Sequence, residues 1–139
     1  MTDLSGGGFL DPDASMAYLQ NWKGRVDKMA ADTQAMSARL GDLRVTAEDD
    51  NGLARVTIDA NGVLLDVHLS DRIHRFAPEA VSRAMMSAFG KARRKAAEQS
   101  RDIITATMGA DSIAGRTIAE RVEQQLRSHE EGRLAGDER

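Results

Sequence analysis

Apolar residues recur along the first third of the chain at a helical interval. Leu19, Trp22, Val26, Met29, Met36, Leu40 and Leu43 follow one another at alternating steps of three and four, with Thr33 filling the single gap. That spacing places them on one stripe, a heptad seam. Asp11 ahead of Pro12 supplies a helix start: an acceptor for unpaired backbone N–H groups, then a residue suited to the first helical position. The pattern predicts a helix over 12–41, about 45 Å long at 1.5 Å per residue.

The interval then changes to two. Val45 and Ala47, then Ala54, Val56 and Ile58, then Val63, Leu65, Val67 and Leu69 alternate with other residues, which predicts strands over 44–48, 53–59 and 63–69. Asp49-Asp50-Asn51-Gly52 and Asp59-Ala60-Asn61-Gly62 separate them, and Asn-Gly is a strong hairpin signal because both residues accept positive φ. The expected sheet is an antiparallel meander of strands about 20 Å long. The first helix then overhangs the sheet by roughly half its length, and a second copy of the chain is the simplest cover for the overhanging seam.

After a polar link over 70–77, Pro78-Glu79 opens a second long helix. Its broad apolar stripe runs through Val81, Met85, Ala88, Phe89, Ala92, Ala96, Ile103 and Ile104, and Gly109 closes it. Ser112 is placed to cap a weaker third helix through Ile118, Val122 and Leu126. The Gly-rich opening has too few apolar groups to offset the entropy of ordering it. The expected plan is a flexible N-terminus over 1–10, one domain over 11–109, an additional C-terminal helix over 110–129 and a disordered tail over 130–139. The fold class is α+β, in the order helix, three-stranded antiparallel meander, helix (α-β-β-β-α), with the extra helix behind.

Composition narrows the chemistry. Hydrophobic residues make up 41% and aromatics only 4%, so Leu, Val, Ile, Met and Ala must fill the interior, which suits helix packing. With no cysteine, disulfides, thiol nucleophiles and Cys-based zinc sites are excluded together. His68, His74 and His129 lack metal-ligand spacing, and no serine stands in a Gly-x-Ser-x-Gly setting. Gly6-Gly7-Gly8 follows no strand and precedes no Gly-Lys-Ser/Thr, so it is no phosphate loop. No catalytic residue, metal or cofactor is expected. The opening lacks the basic-then-apolar layout of a leader and nothing resembles a membrane span, so a cytoplasmic protein without a membrane partner is expected.

Charge singles out one segment. The net charge of −3 divides into −5 over residues 1–70, +4 over 71–108 and −2 over 109–139, so only the middle stretch favours a polyanion. Within it Lys91, Arg93, Arg94, Lys95 and Arg101 cluster, with Arg83 one to two turns earlier. Lys91, Arg94, Lys95 and Arg101 fall on one wide helix face, away from Ala88, Ala92, Ala96 and Gln99. Phosphate binding needs several mobile cations at once, because affinity grows with each counterion released. The alternative is a solvated face with local Lys95/Gln99 and Arg94/Glu98 pairs. Arg72, His74 and Arg75 in the preceding loop are placed for a second phosphate or a partner carboxylate, or form an ordinary polar loop. In the first helix, pairs such as Lys23/Asp27 and Lys28/Asp32 neutralise much of the positive charge.

Several stretches together resemble the YbaB/EbfC family of nucleoid-associated proteins. They are Val45-Thr46-Ala47-Glu48, Gly52-Leu53-Ala54-Arg55-Val56-Thr57-Ile58, Asn61-Gly62, Val67-His68-Leu69, and Ala84 to Arg94 with Ala88-Phe89 and Ala92-Arg93-Arg94. Trp22-Lys23-Gly24-Arg25-Val26 resembles the actinobacterial branch. The resemblance implies a homodimer with helices projecting from joined sheets. It implies binding to double-stranded DNA with little sequence preference, association with the nucleoid, and no enzyme activity. Two features depart from it, the acidic first segment and the helical pattern of 112–131. Both suit an alternative on the same dimeric scaffold: a protein-interaction adaptor, or an accessory protein of the kind found beside secretion loci in actinobacterial relatives.

Overall fold

A computed structural model of the chain describes residues 11–137. The flexible start expected over 1–10 and the final residues 138–139 lie outside the described residues. Helix α1 spans Pro12–Asp42, with the Asp11 carboxylate accepting from the backbone N–H of Asp13 at 3.0 Å. Leu43 is extended, so α1 passes almost directly into the first strand. Strands β1 (Arg44–Glu48), β2 (Ala54–Asp59) and β3 (Leu64–Leu69) form the antiparallel meander in the order β1-β2-β3. A 3-10 turn over Asp71–Arg75 leads to α2 (Pro78–Met108), and α3 (Ile113–Asp137) follows.

Register places the apolar residues of the strands on one face. Val45 pairs with Ile58 and Ala47 with Val56, and Val56 in turn pairs with Val67 and Ala54 with Leu69. The pairing of β2 with β3 steps from Thr57↔Asp66 to Ile58↔Leu64, so Leu65 is an extra residue in a bulge. The opposite face is polar and includes the cross-strand pair Arg55–Glu48 at 2.8 Å and the Thr46–Thr57 hydroxyl contact at 2.8 Å.

Each turn is organised by the aspartate two residues before its Asn. The Asp49 carboxylate accepts from the backbone N–H of Asn51 and Ala54, at 3.1 and 2.8 Å, and Asp59 likewise holds Asn61 and Val63, at 2.8 and 3.0 Å. Gly52 and Gly62 take positive φ, at 67° and 82°, but no non-glycine among the described residues does. The Asn-Gly pairs therefore mark the turns, while the expectation of positive φ at both residues is corrected. The Asp side chains bond the chain locally and leave only the glycine in the left-handed region.

The core lies between the inner face of the sheet and α2. Ala84, Ala88, Ala92, Ala96, Ser100 and Ile104 are all buried, one every four residues, a single ridge of the helix. Its first four members are alanines, and so short a ridge lets the helix axis approach Val45, Leu53, Val56 and Ile58. Of the predicted stripe, Met85, Phe89 and Ile103 are half-buried. Helix α3 starts as Ser112 accepts from the N–H of Gly115 at 3.0 Å, then folds back along α2 to place Leu126, 3% exposed, in the core beside the Gly62 turn. It is described as helix to Asp137, beyond the end expected at 129. Glu130, Glu131, Arg133, Leu134 and Ala135 are good helix formers, and Gly132 and Gly136 do not stop them.

Helix α1 divides in two. Met36 is buried, Leu40 is half-buried, and Thr33 reaches the thioether of Met108 at 3.9 Å, so this end lies against the C-terminal end of α2. Toward the N-terminus the seam is open, with Leu19, Trp22, Val26 and Met29 from 45% to 56% exposed. The predicted seam is thus core at Met36 and bare surface at four of its other positions.

Candidate nucleic-acid interface

Helix α2 presents small residues inward, and its long cations leave from its other sides. The predicted cluster does not form one free stripe. Lys91 reaches back to the β1–β2 turn and pairs with Asp50, while the Lys95 ammonium donates to the backbone carbonyl of Thr46 in β1 at 3.3 Å. Hydrogen-bonded to Asp50 and adding its charge, the Lys91 ammonium holds the Asp50 carboxyl below the usual carboxylate range. Arg101 turns the other way and donates to Glu123 of α3 at 2.6 Å.

Arg93 requires a correction. It is only 7% exposed, with its guanidinium carbon 4.2 Å from the centroid of the Phe89 ring one turn earlier, so it is a packed cation and is withdrawn from the phosphate-contact set. Position 93 follows Ala92 toward the buried ridge, and a net-charge count is blind to that rotation. Arg94 is exposed and takes part in the polar contacts of its surroundings.

Arg72 lies across the Gly52 turn and donates to the carbonyl of Asn51, where a Cβ on Gly52 would come within 3.3 Å of its guanidinium. The structure thus gives Arg72 a role in bracing the β1–β2 turn. Arg75 and Arg83 are exposed, and the guanidinium of neither makes a hydrogen bond or ion pair with a described residue. In α1, Lys28 and Asp32 form the expected pair at 2.9 Å.

Two residues of this surface escaped the sequence reading, Glu123 and Arg127, which pair with each other at 2.6 Å on α3. Their spacing of four was a readable signal, but the approach of Arg101 from α2 was not. Among the described residues no group of three His, Cys, Asp or Glu is placed to hold a metal, and no helix is long and apolar enough to cross a membrane.

The arrangement is that of an α+β scaffold, a helix, a three-stranded meander and a second helix, with its excess positive charge gathered on the second helix and the turn before it. The profile of the YbaB/EbfC DNA-binding family matches residues 16–111, and the chain belongs to that family. It is similar in fold to an uncharacterized protein of Helicobacter pylori, HP0035. The TM-score is 0.52 at 20% identity, over 63% of this chain and 94% of that one. No match was found among curated proteins.

Proposed function

We propose that the protein is a nucleoid-associated, largely sequence-nonspecific DNA-binding protein that acts as a homodimer and holds double-stranded DNA through its backbone phosphates. The observation that carries this reading is membership of a DNA-binding family over residues 16–111, a range that takes in the entire meander and α2. The +4 charge of residues 71–108 supports it. Arg75, Arg83 and Arg94 supply exposed guanidinium groups. Lys91, Lys95, Arg101 and Arg72 have internal partners, but exposed pairs contribute only about 0–1 kcal/mol, so phosphates that release counterions can displace them. Contacts of this kind read the path of the backbone and not base edges.

Dimerisation is supported by the open half of α1, where Leu19, Trp22, Val26 and Met29 lie uncovered on one stripe of a helix. A second copy of the same stripe covers it in a self-complementary contact. Light scattering is expected to give twice the chain mass of 15.1 kDa. A gel-shift titration of a random duplex at two salt concentrations tests the DNA reading. Binding at low salt that weakens as salt rises is expected, and binding that is absent or indifferent to salt overturns it.

A second reading, a non-enzymatic adaptor or secretion-associated accessory protein on the same scaffold, is favoured by the internal engagement of Lys91, Lys95 and Arg101. The native protein purified with a stoichiometric protein partner and no nucleic acid is the outcome that would select it.

A further inference from the structure

Between α2 and α3 lies a cleft of about 430 Å³, lined by Arg93, Arg94, Arg101 and Arg127 together with Glu98 and Glu123. Arg93 is the packed cation of this lining, and Arg94, Arg101 and Arg127 are its exposed ones, in a space bounded by two helices. Glu123 bridges two of its arginines. One carboxylate oxygen accepts from Arg101 at 2.6 Å and the other from Arg127 at 2.6 Å, so two guanidinium groups from two helices hold the two oxygens of a single anion. Two non-bridging oxygens of a phosphodiester present the same pair of acceptors, and guanidinium is the side chain whose planar fork suits them.

The arrangement is both placed and open. Leu126, 3% exposed in the core, anchors α3 one residue before Arg127, so core packing sets the backbone from which that side chain leaves, and Glu123 holds its guanidinium. The Arg101 and Arg127 side chains are 53% and 64% exposed, so an incoming anion reaches both without the helices parting. Water screens the Glu123 pairs and keeps them exchangeable.

We propose that the α2–α3 cleft is a phosphate-binding site for the DNA backbone, in which Arg101 and Arg127 exchange the Glu123 carboxylate for a phosphodiester of the duplex. The inference rests on the DNA-binding reading above. It carries the contact surface beyond residue 111, where the family match ends, onto the additional helix. Glu123 holds the arginine pair in its binding geometry when DNA is absent and competes with DNA when it is present.

The test uses the full chain, a random 20-base-pair duplex and fluorescence anisotropy over a range of salt. Glu123→Gln is expected to bind about threefold to tenfold more tightly at low salt, with a salt dependence steeper by roughly one to two phosphate contacts. In an R101Q/R127Q background, binding is weaker and the same Glu123→Gln change brings no gain. That coupling separates a specific site from the mere removal of one negative charge. A gain of equal size in both backgrounds, or no gain in the otherwise native chain, overturns the cleft. If the unsubstituted protein binds the duplex and Glu123→Gln binds no better, only the cleft falls; if no version binds even at low salt, the DNA reading falls with it.

Discussion

Helices α1 and α2 have the same length, 31 residues, and each begins on a proline, yet they deploy their apolar residues in opposite ways. Among eight buried residues in α2 are the alanines of its every-fourth ridge, whereas α1 buries only Met36. The larger side chains are on α1: Leu19, Trp22, Val26 and Met29 stand in solvent, while alanines fill most of the inner face of α2. Side-chain size tells how near the covering surface is. A row of alanines fits a helix pressed onto a sheet of its own chain. A heptad row of Leu, Trp, Val and Met has the reach of knobs aimed at a facing helix. Periodicity marks an apolar face; residue size separates the face packed on this chain's own sheet from the one left open.

The sharpest way to break that contrast is to place the same charge on each helix. Ala92→Asp puts a carboxylate at a position with 0% exposure, surrounded by the sheet, and is expected to cost roughly 3–5 kcal/mol as an uncompensated buried charge. Against a total stability of about 5–15 kcal/mol, that melts or nearly melts the fold by circular dichroism. Val26→Asp falls where the isolated chain is 45% exposed, so it should change the stability of one copy by no more than about 0.5 kcal/mol. Its effect belongs to the assembly: helical content is retained while the mass by light scattering falls by half. An unchanged dimer mass in Val26→Asp would show that the stripe is not the contact.

A smaller effect separates the outward faces. The Arg83 guanidinium of α2 is exposed with no partner among the described residues, whereas Lys28 of α1 is paired with Asp32 at 2.9 Å. Arg83→Gln should weaken DNA binding and lower the slope of log affinity against log salt by about 0.9, the loss of one phosphate contact. Lys28→Gln should leave that slope in place. A slope lowered equally in both variants would assign the acidic first helix a share of the DNA surface, and a slope unchanged in both would remove Arg83 from it.

What could be read from the sequence is what depends on near neighbours. The ends of α1 and α2 follow from Asp11-Pro12, Pro78 and Gly109, and Ser112 caps α3 as expected. The strands follow from alternation. The functional surface was legible only as a count of charge, because the fate of each cation is set by residues far off in the chain. Lys91 meets Asp50 across 41 positions and Arg101 meets Glu123 across 22. The burial of Arg93 was the hardest to read, since one step of 100° around the helix separates a surface cation from one packed on Phe89.

The smallest effect concerns the ion pair between α2 and the β1–β2 turn. Lys91 pairs with Asp50, whose side chain is 87% exposed, so the contact is screened and its removal should hardly move the melting temperature. It should be visible in titration. The Lys91 ammonium, by its hydrogen bond first and its charge second, lowers the Asp50 pKa from its ordinary value of 3.8. A carboxyl whose folded pKa is depressed adds its stabilisation fully above the unfolded value, near 3.9 in order of magnitude, and loses it as pH falls through the lower folded value. The pair is therefore complete at neutral pH and breaks only in acid. A carboxyl-carbon NMR titration should find Asp50 below the unfolded-chain value, and Lys91→Gln should return it there. An Asp50 that titrates normally in the native chain would show Lys91 unattached to the turn and open to phosphate, which would bring α2 closer to the single cationic stripe that its sequence suggests.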